Sequence, residues 1–158
     1  MQDEIVIREA APEDAEFLVR GNAAMALETE HLSLDLDRLR TGVHALFEDP
    51  SRGRYFIAER GGRRAGQLMI TYEWSDWRNG VFWWIQSVWV DPAHRGCGVF
   101  RALYDHVRSL ATSDAGVCGL RLYVEKSNER AQQTYLRCGM RRTEYDLFEE
   151  DFVLRREP

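Results

Sequence analysis

A chain of 158 residues with a formal net charge of −5 is long enough for one domain with a sizeable core, and its acidic balance argues against nucleic-acid binding. Hydrophobic residues make up 44%, an ordinary globular share, and the longest apolar run, Val81–Ile85, is far short of the roughly 20 residues of a membrane helix. Three cysteines (Cys97, Cys118, Cys138) without metal-ligand spacing, four unclustered histidines and the acidic start Met1-Gln2-Asp3-Glu4 lead us to expect free thiols, no metal, no signal peptide and a cytoplasmic location.

A first strand is predicted over Glu4–Glu9, with Ile5 and Ile7 on one face. Ala11-Pro12-Glu13-Asp14 has the proline and acids of a helix start, and that helix should run to about Glu28 on a stripe of Phe17, Leu18, Ala24 and Met25. A second helix from about Asp35 carries Leu36, Leu39, Val43, Leu46 and Phe47 at helical spacing, and Pro50 ends it. Strands at Tyr55–Ala58, Gly66–Trp74 and Val81–Val90, joined by turns at Gly61-Gly62 and Asp76–Gly80, predict an antiparallel meander. Val81–Ile85 lacks clean alternation, as a central strand covered on both faces would. Gln86 and Ser87 interrupt it, consistent with a bulge or with backbone turned towards a ligand.

The strand stops at Asp91-Pro92 and a glycine-containing loop follows. The helix after Gly98 places Phe100, Leu103, Tyr104, Val107, Leu110 and Ala111 on one side. Asp114–Gly119 reads as a loop, Leu120–Val124 as a strand, and Asn128–Cys138 as a short helix with Gly139 as a left-handed cap. Arg141–Leu154 is strand-like enough for a last strand or hairpin. The fold class is therefore α/β of the α+β type, in the order β-α-α-β-β-β-α-β-α-β. One mixed, mostly antiparallel sheet is flanked by helices in a single domain over 3–156.

Residues 84–103 organise the chain. A helix that starts in such a loop presents unpaired N–H groups and its positive dipole end, which suits phosphate. Here Ser87-Val88-Trp89-Val90-Asp91-Pro92 leads into Arg95-Gly96-Cys97-Gly98-Val99-Phe100. Downstream, Leu120-Arg121-Leu122-Tyr123-Val124 precedes Asn128-Glu129-Arg130-Ala131 and Tyr135-Leu136-Arg137-Cys138-Gly139-Met140. In this order the motifs resemble the GNAT superfamily of acetyl-CoA-dependent N-acetyltransferases, with its R-x-x-G-x-G/A loop and N-x-x-A-x-x-x-Y-x-x-x-G-[FM] signature. Phe100 departs from the family's small residue. It is expected to point away from the ligand, as a core residue in phase with Leu103 and Val107.

The resemblance implies acetyl-CoA as cofactor and direct acetyl transfer to a primary amine, in a small molecule or a peptide, within a ternary complex. Backbone N–H groups of Arg95, Gly96, Cys97, Gly98, Val99, Phe100 and Arg101 would hold the pyrophosphate, with Arg95 and Arg101 adding charge. The main chain of Val88, Trp89 and Val90 would pair with the pantetheine arm, and an N–H there could polarise the thioester carbonyl. Asn128 would both cap its helix and contact the cofactor. Tyr135, a phenol of ordinary pKa about 10, would protonate the leaving thiolate. Homodimers are frequent in the resembled family, and 141–158 is a plausible interface.

The residues themselves suggest the acceptor side. Glu73 is the candidate general base, beside the aromatic Trp74 and Trp77, which could line an acceptor cleft and favour a cationic or aromatic substrate. Glu28 and Glu30, at the end of the first helix, are alternative bases or anchors for a cationic substrate. Each of these glutamates also reads as a solvated surface acid. Two rival readings are a catalytically silent acyl-CoA-binding sensor or interaction module, and a structural domain in which Phe100 has closed the site.

Overall fold

Five strands form one sheet in chain order: β1 (Ile5–Glu9), β2 (Arg54–Arg60), β3 (Arg63–Ser75), β4 (Gly80–Val90) and β5 (Val117–Arg121). The structure, a computed structural model, describes residues 4–154; of the domain expected over 3–156, residues 3, 155 and 156 lie outside the described residues. The first three pairings are antiparallel and the β4–β5 pairing is parallel. A parallel neighbour needs a crossover, and α3 (Val99–Ser113) supplies it. The other helices are α1 (Ala15–Glu30), α2 (Leu36–Glu48) and α4 (Glu129–Arg137). No helix among the described residues is long and apolar enough to cross a membrane.

The sheet's alternation sorts its side chains between two layers of helix. On one face Phe56, Leu68, Ile70, Trp83 and Ile85 meet Leu103 and Val107 of α3. On the other, Tyr55, Ile57 and Trp89 meet Phe17 and Leu18 of α1 and Val43 and Leu46 of α2. Helix α2 starts where Asp35 accepts the N–H groups of Asp37 and Arg38, a side-chain N-cap.

Two expectations are corrected. β5 begins at Val117, within the stretch read as a loop, and ends at Arg121 rather than Val124. Its glycine is the reason: a Cβ on Gly119 would lie 2.6 Å from the Phe82 ring, so the residue that looks like a loop marker is a close-packing site in a strand. The last strand expected in Arg141–Leu154 is not formed. Past Gly139, which turns in a left-handed conformation with φ 93°, the chain leaves the sheet, and residues 141–154 are exposed and pair with no strand.

Asp14, expected only as an acid of the first turn, is instead a buried anchor with 1% exposure. It accepts from Arg8 at 2.7 and 3.0 Å, from Arg64 at 2.6 Å and from the Ala11 N–H at 2.8 Å. Arg8 also binds Glu59 at 2.8 Å. The start of α1 is thus tied to three strands. Burial alone would push the Asp14 carboxyl up, but the Arg8, Ala11 and Arg64 hydrogen bonds outweigh it and hold it well below the usual carboxylate range.

A lowered folded-state pKa stabilises the fold above the unfolded value of about 4 and loses that contribution as pH falls further. Asp14→Asn is expected to destabilise the protein at pH 7 by about 2 kcal/mol, discounted because both arginines reach solvent. In thermal unfolding measured against pH, the gap between the two proteins should narrow below pH about 4. An unchanged gap would contradict the assignment.

Candidate active site

β4 is the strand on which the site is built, because it changes partner along its length. From Val81 to Trp84 it pairs with β5, ending at the Trp84–Arg121 pair. Beyond that point residues 85–90 have β3 on one side and no strand on the other. Gln67 faces Trp89 while Met69 faces Gln86, so Ser87 and Val88 stand opposite Leu68 alone. That is a β-bulge, at the interruption expected from Gln86 and Ser87. Ser87 takes φ 51°, an uncommon conformation for a residue other than glycine.

A buried side chain holds the bulge. Gln67, fully buried on β3, donates from Nε2 to the Ser87 carbonyl at 3.1 Å. Its Oε1 has no hydrogen-bond partner, nor does the buried Nε1 of Trp89. Leaving such groups unpaired is unfavourable, and departures of this kind gather where a fold serves function before stability. Helix α1 crosses directly above at Gly21, where a Cβ would lie 2.3 Å from Gln67 Oε1 and 2.8 Å from Trp89 Cε3. Sequence reasoning missed Gln67; a lone polar residue in an apolar strand was the available signal.

β4 stops where Asp91 accepts the Ala93 N–H at 2.9 Å and Pro92 opens a turn. The loop then reaches α3 through Gly96 (φ 75°) and Gly98 (φ 83°). The first helical hydrogen bond runs from the Ala102 N–H to the Gly98 carbonyl at 3.0 Å. The amides of Val99, Phe100 and Arg101 therefore precede any intrahelical partner, and Gly98 places no side chain over them. A cavity of about 560 Å³ opens here, lined by His94–Gly96 and Gly98–Arg101 on one side and by Arg130, Thr134, Arg137 and Cys138 of the α4 region on the other. The two separated motifs face one space.

Its electrostatics are cationic. Arg95 is braced by Glu28 at 2.8 Å and by the Val90 carbonyl at 3.0 Å, and Arg101 by Asp105 at 2.9 Å. Among the described residues Arg130 and Arg137 have no acidic partner, so they present their charge to the cavity. They and Thr134 recur at helical spacing along α4, a signal in the sequence that was not used. His94, also in the lining, keeps a buried Nδ1 without a partner. Open glycines, free amides, unneutralised arginines and an unpartnered ring nitrogen all fit a polyanion.

Phe100 packs on the α3-side core and lies 6.2 Å from the Tyr104 ring and 5.6 Å from the Tyr135 ring. It shapes the wall of the cavity without filling the loop. Asn128 caps α4 by accepting the Ala131 N–H at 3.2 Å. Tyr135 stands edge-on to Phe100, and its hydroxyl has no hydrogen-bond partner among the described residues. Burial, with a smaller contribution from Cys138, raises its pKa.

The acceptor-side expectations are corrected in part. Trp74 and Trp77 are 62% and 84% exposed at the β3–β4 hairpin, so they do not desolvate Glu73. That carboxylate is 43% exposed and is bound through Oε1 by Arg121 at 2.5 Å. Glu28 is engaged with Arg95, and Glu30 is exposed at the last residue of α1. The structure instead groups Thr71, Glu73, Trp84, Gln86 and Arg121 on one sheet face beside the divergence, because directly opposed residues share a face. Gln86 donates to Thr71 Oγ1 at 2.5 Å, and Trp84 meets the Tyr123 ring at 6.0 Å.

A parallel pair that parts beside a glycine loop and a helix N-terminus leaves a cleft at the end of β4, and comparison with known proteins gives the class of protein that carries it: the acetyltransferases. The profile of the Acetyltransferase (GNAT) family matches residues 22–140, and the chain belongs to that family. A structure described as a possible acetyltransferase from Clostridium difficile 630 is 41% identical with TM-score 0.88, covering 95% of this chain and 99% of that one. A predicted acetyltransferase from Clostridium acetobutylicum, determined with acetyl-CoA, shares the fold at 16% identity and TM-score 0.75, covering 93% of this chain and 96% of that one. A mycothiol acetyltransferase of Corynebacterium aurimucosum is 26% identical over 129 residues, 80% of this chain, and this chain spans 42% of that relative.

Two glycine substitutions separate conformation from crowding. No atom would lie within 4 Å of a Cβ on Gly98, so Gly98→Ala should destabilise by only the roughly 1–2 kcal/mol of a left-handed residue. Gly21→Ala must displace Gln67 or Trp89 and should destabilise by more than about 2 kcal/mol. Denaturant unfolding of both variants checks the order. Equal effects would mean that α1 does not lock Gln67.

Proposed function

We propose that the protein is an N-acetyltransferase moving an acetyl group from acetyl-CoA to a primary amine by direct attack in a ternary complex. The observation that carries this reading is the cavity that joins the 94–101 loop to the basic face of α4 beside the stretch of β4 whose second edge is open. When bound, acetyl-CoA supplies an acyl thioester. The amides of Val99–Arg101 with Arg130 and Arg137 would hold its pyrophosphate. The open edge at Val88, Trp89 and Val90 would take its pantetheine arm as an added strand, and Arg95 and Asn128 would fix the two ends of the cleft. The bulge, set by Gln67, turns backbone at Ser87 and Val88 where a carbonyl oxygen could be met by an N–H.

Tyr135 holds the proton we assign to the leaving sulfur, and burial keeps that phenol protonated beyond its ordinary range. On the acceptor face Glu73 keeps Oε2 available for the amine while Arg121 holds Oε1. An alkyl amine of pKa about 10.4 must lose a proton before it attacks, and Glu73, directly or through water, is the base we assign.

Free-thiol release across a panel of small amines, polyamines and peptide N-termini tests the reaction. At least one amine should release thiol in a protein-dependent way. Tyr135→Phe retains the ring that packs on Phe100 and should lower kcat by about 10²-fold or more, and because burial raises the phenol's pKa, wild-type activity should persist through the ordinary phenol range before it falls. Binding of acetyl-CoA with no turnover across the panel would favour the silent module, and full activity of Tyr135→Phe would remove the acid assignment.

A further inference from the structure

A second cavity, of about 490 Å³, opens between α1, the β2–β3 hairpin and the end of β4. Its lining shares no residue with the cavity between the 94–101 loop and α4, and its size falls in the range of about 300–1,000 Å³ typical of small-molecule sites. The wall is made by Arg20 of α1, Glu59 of β2, Gly62 of the turn, Arg63 and Arg64 of β3, and Asp91, with Phe17 beneath Arg20. Apart from Phe17 and Gly62, every lining residue is charged, so an apolar ligand finds little to hold.

The acids in this wall are already engaged. Glu59 accepts from Arg8 at 2.8 Å, and Asp91 accepts the Ala93 N–H at 2.9 Å. The arginines are not. Among the described residues Arg20 and Arg63 have no acidic partner. Arg64 donates Nε to Asp14 at 2.6 Å and keeps its terminal nitrogens for another acceptor. Arg63 also stands directly opposite Arg60 across the hairpin, and like charges in opposed positions are unfavourable. Between these two, Gly61 and Gly62 turn with φ 58° and 73°. Nothing lies within 4 Å of where a Cβ of Gly62 would be, so the backbone of the turn is uncovered. Successive amides in such turns form anion-binding concavities.

We propose that this cavity is a binding site, separate from the cofactor cleft, for a small multivalent oxyanion: a phosphate group or a di- or tricarboxylate. Guanidinium forks bind the oxygens of phosphates and carboxylates in pairs. Arg20 and Arg63 reach the cavity from different elements, so an ion with several oxygens can meet both and relieve the opposition of Arg60 and Arg63. An ion of single charge is at a disadvantage, because its attraction to the arginines is offset by repulsion from Glu59 and Asp91. The site needs neither acetyl-CoA nor turnover, so its test is independent of the proposed acetyl transfer.

NMR of protein isotope-labelled at arginine and glycine, titrated with inorganic phosphate and separately with citrate, tests the site. One or both ions should shift the side-chain N–H signals of Arg20 and Arg63 and the Gly62 amide saturably, with Kd about 1 mM or tighter. Acetate should bind at least about 10-fold more weakly. Saturation by phosphate alone would assign a phosphate-bearing ligand, and saturation by citrate alone a polycarboxylate. Arg20→Gln with Arg63→Gln should weaken binding by about 10-fold or more. The thermal midpoint of that variant without the ion should stay within about 2 °C of wild type, which separates loss of binding from loss of fold. No saturation by either ion, equal binding of acetate, unchanged affinity in the double variant, or abolition of these shifts by saturating acetyl-CoA would each overturn the proposal.

Discussion

The parting of β4 from β5 after Trp84 and Arg121 is the constraint on which the rest of the molecule depends. Two parallel strands that stayed paired would leave no opening in the sheet and no free edge to receive an extended ligand. The bulge at Ser87 adds the local twist that such a departure needs, and Gln67 keeps it in one conformation from below. Helix α1 seals Gln67 in place because Gly21 has no side chain to push it away. The Arg8–Asp14–Arg64 cluster then fixes the start of that helix to the sheet. The site is thus held by a chain of contacts running from the first strand to the fourth.

Charge follows the same economy of placement. The protein is acidic overall, yet exposed charges beyond about 8–10 Å are screened at ordinary ionic strength, so what a ligand meets in the cleft is local. There, Arg95 and Arg101 are largely neutralised by Glu28 and Asp105; Arg95 braces the loop against β4 and α1, while Arg101 pairs within α3. Arg130 and Arg137 carry the field. A basic stripe on a nine-residue helix is enough to make an anionic pocket partner plausible on a protein whose net charge points the other way.

Element order was legible in the sequence because it rests on local signals. Gly61-Gly62 and Asp76–Gly80 marked turns, Pro92 marked the end of β4, Asn128 and Gly139 marked the limits of α4, and Gln86-Ser87 marked the bulge. The loop motif and the α4 signature, read together, were enough to place the family. What was not legible depended on distant partners. Nothing near Asp14 in sequence says that Arg64 will reach it, nothing near Gly119 says that Phe82 will lie against it, and Glu73 gives no sign that Arg121 will occupy one of its oxygens. Nor does the closeness of Trp74 and Trp77 to Glu73 in sequence say that both rings stand out in solvent at the end of β3 and its hairpin rather than over that carboxylate. The strand or hairpin expected over Arg141–Leu154 rested on composition alone, which does not name a sheet to join, and the segment forms no strand.

The central claim is that the open stretch of β4, the 94–101 loop and α4 form one cofactor site. Amide hydrogen exchange, followed by mass spectrometry with and without millimolar acetyl-CoA, tests it most directly. The account predicts slowed exchange across residues 85–101 and 128–138, with the hairpin at 75–80 unchanged. Unchanged exchange in 94–101 while the protein stays folded, or protection confined to other segments, would contradict it.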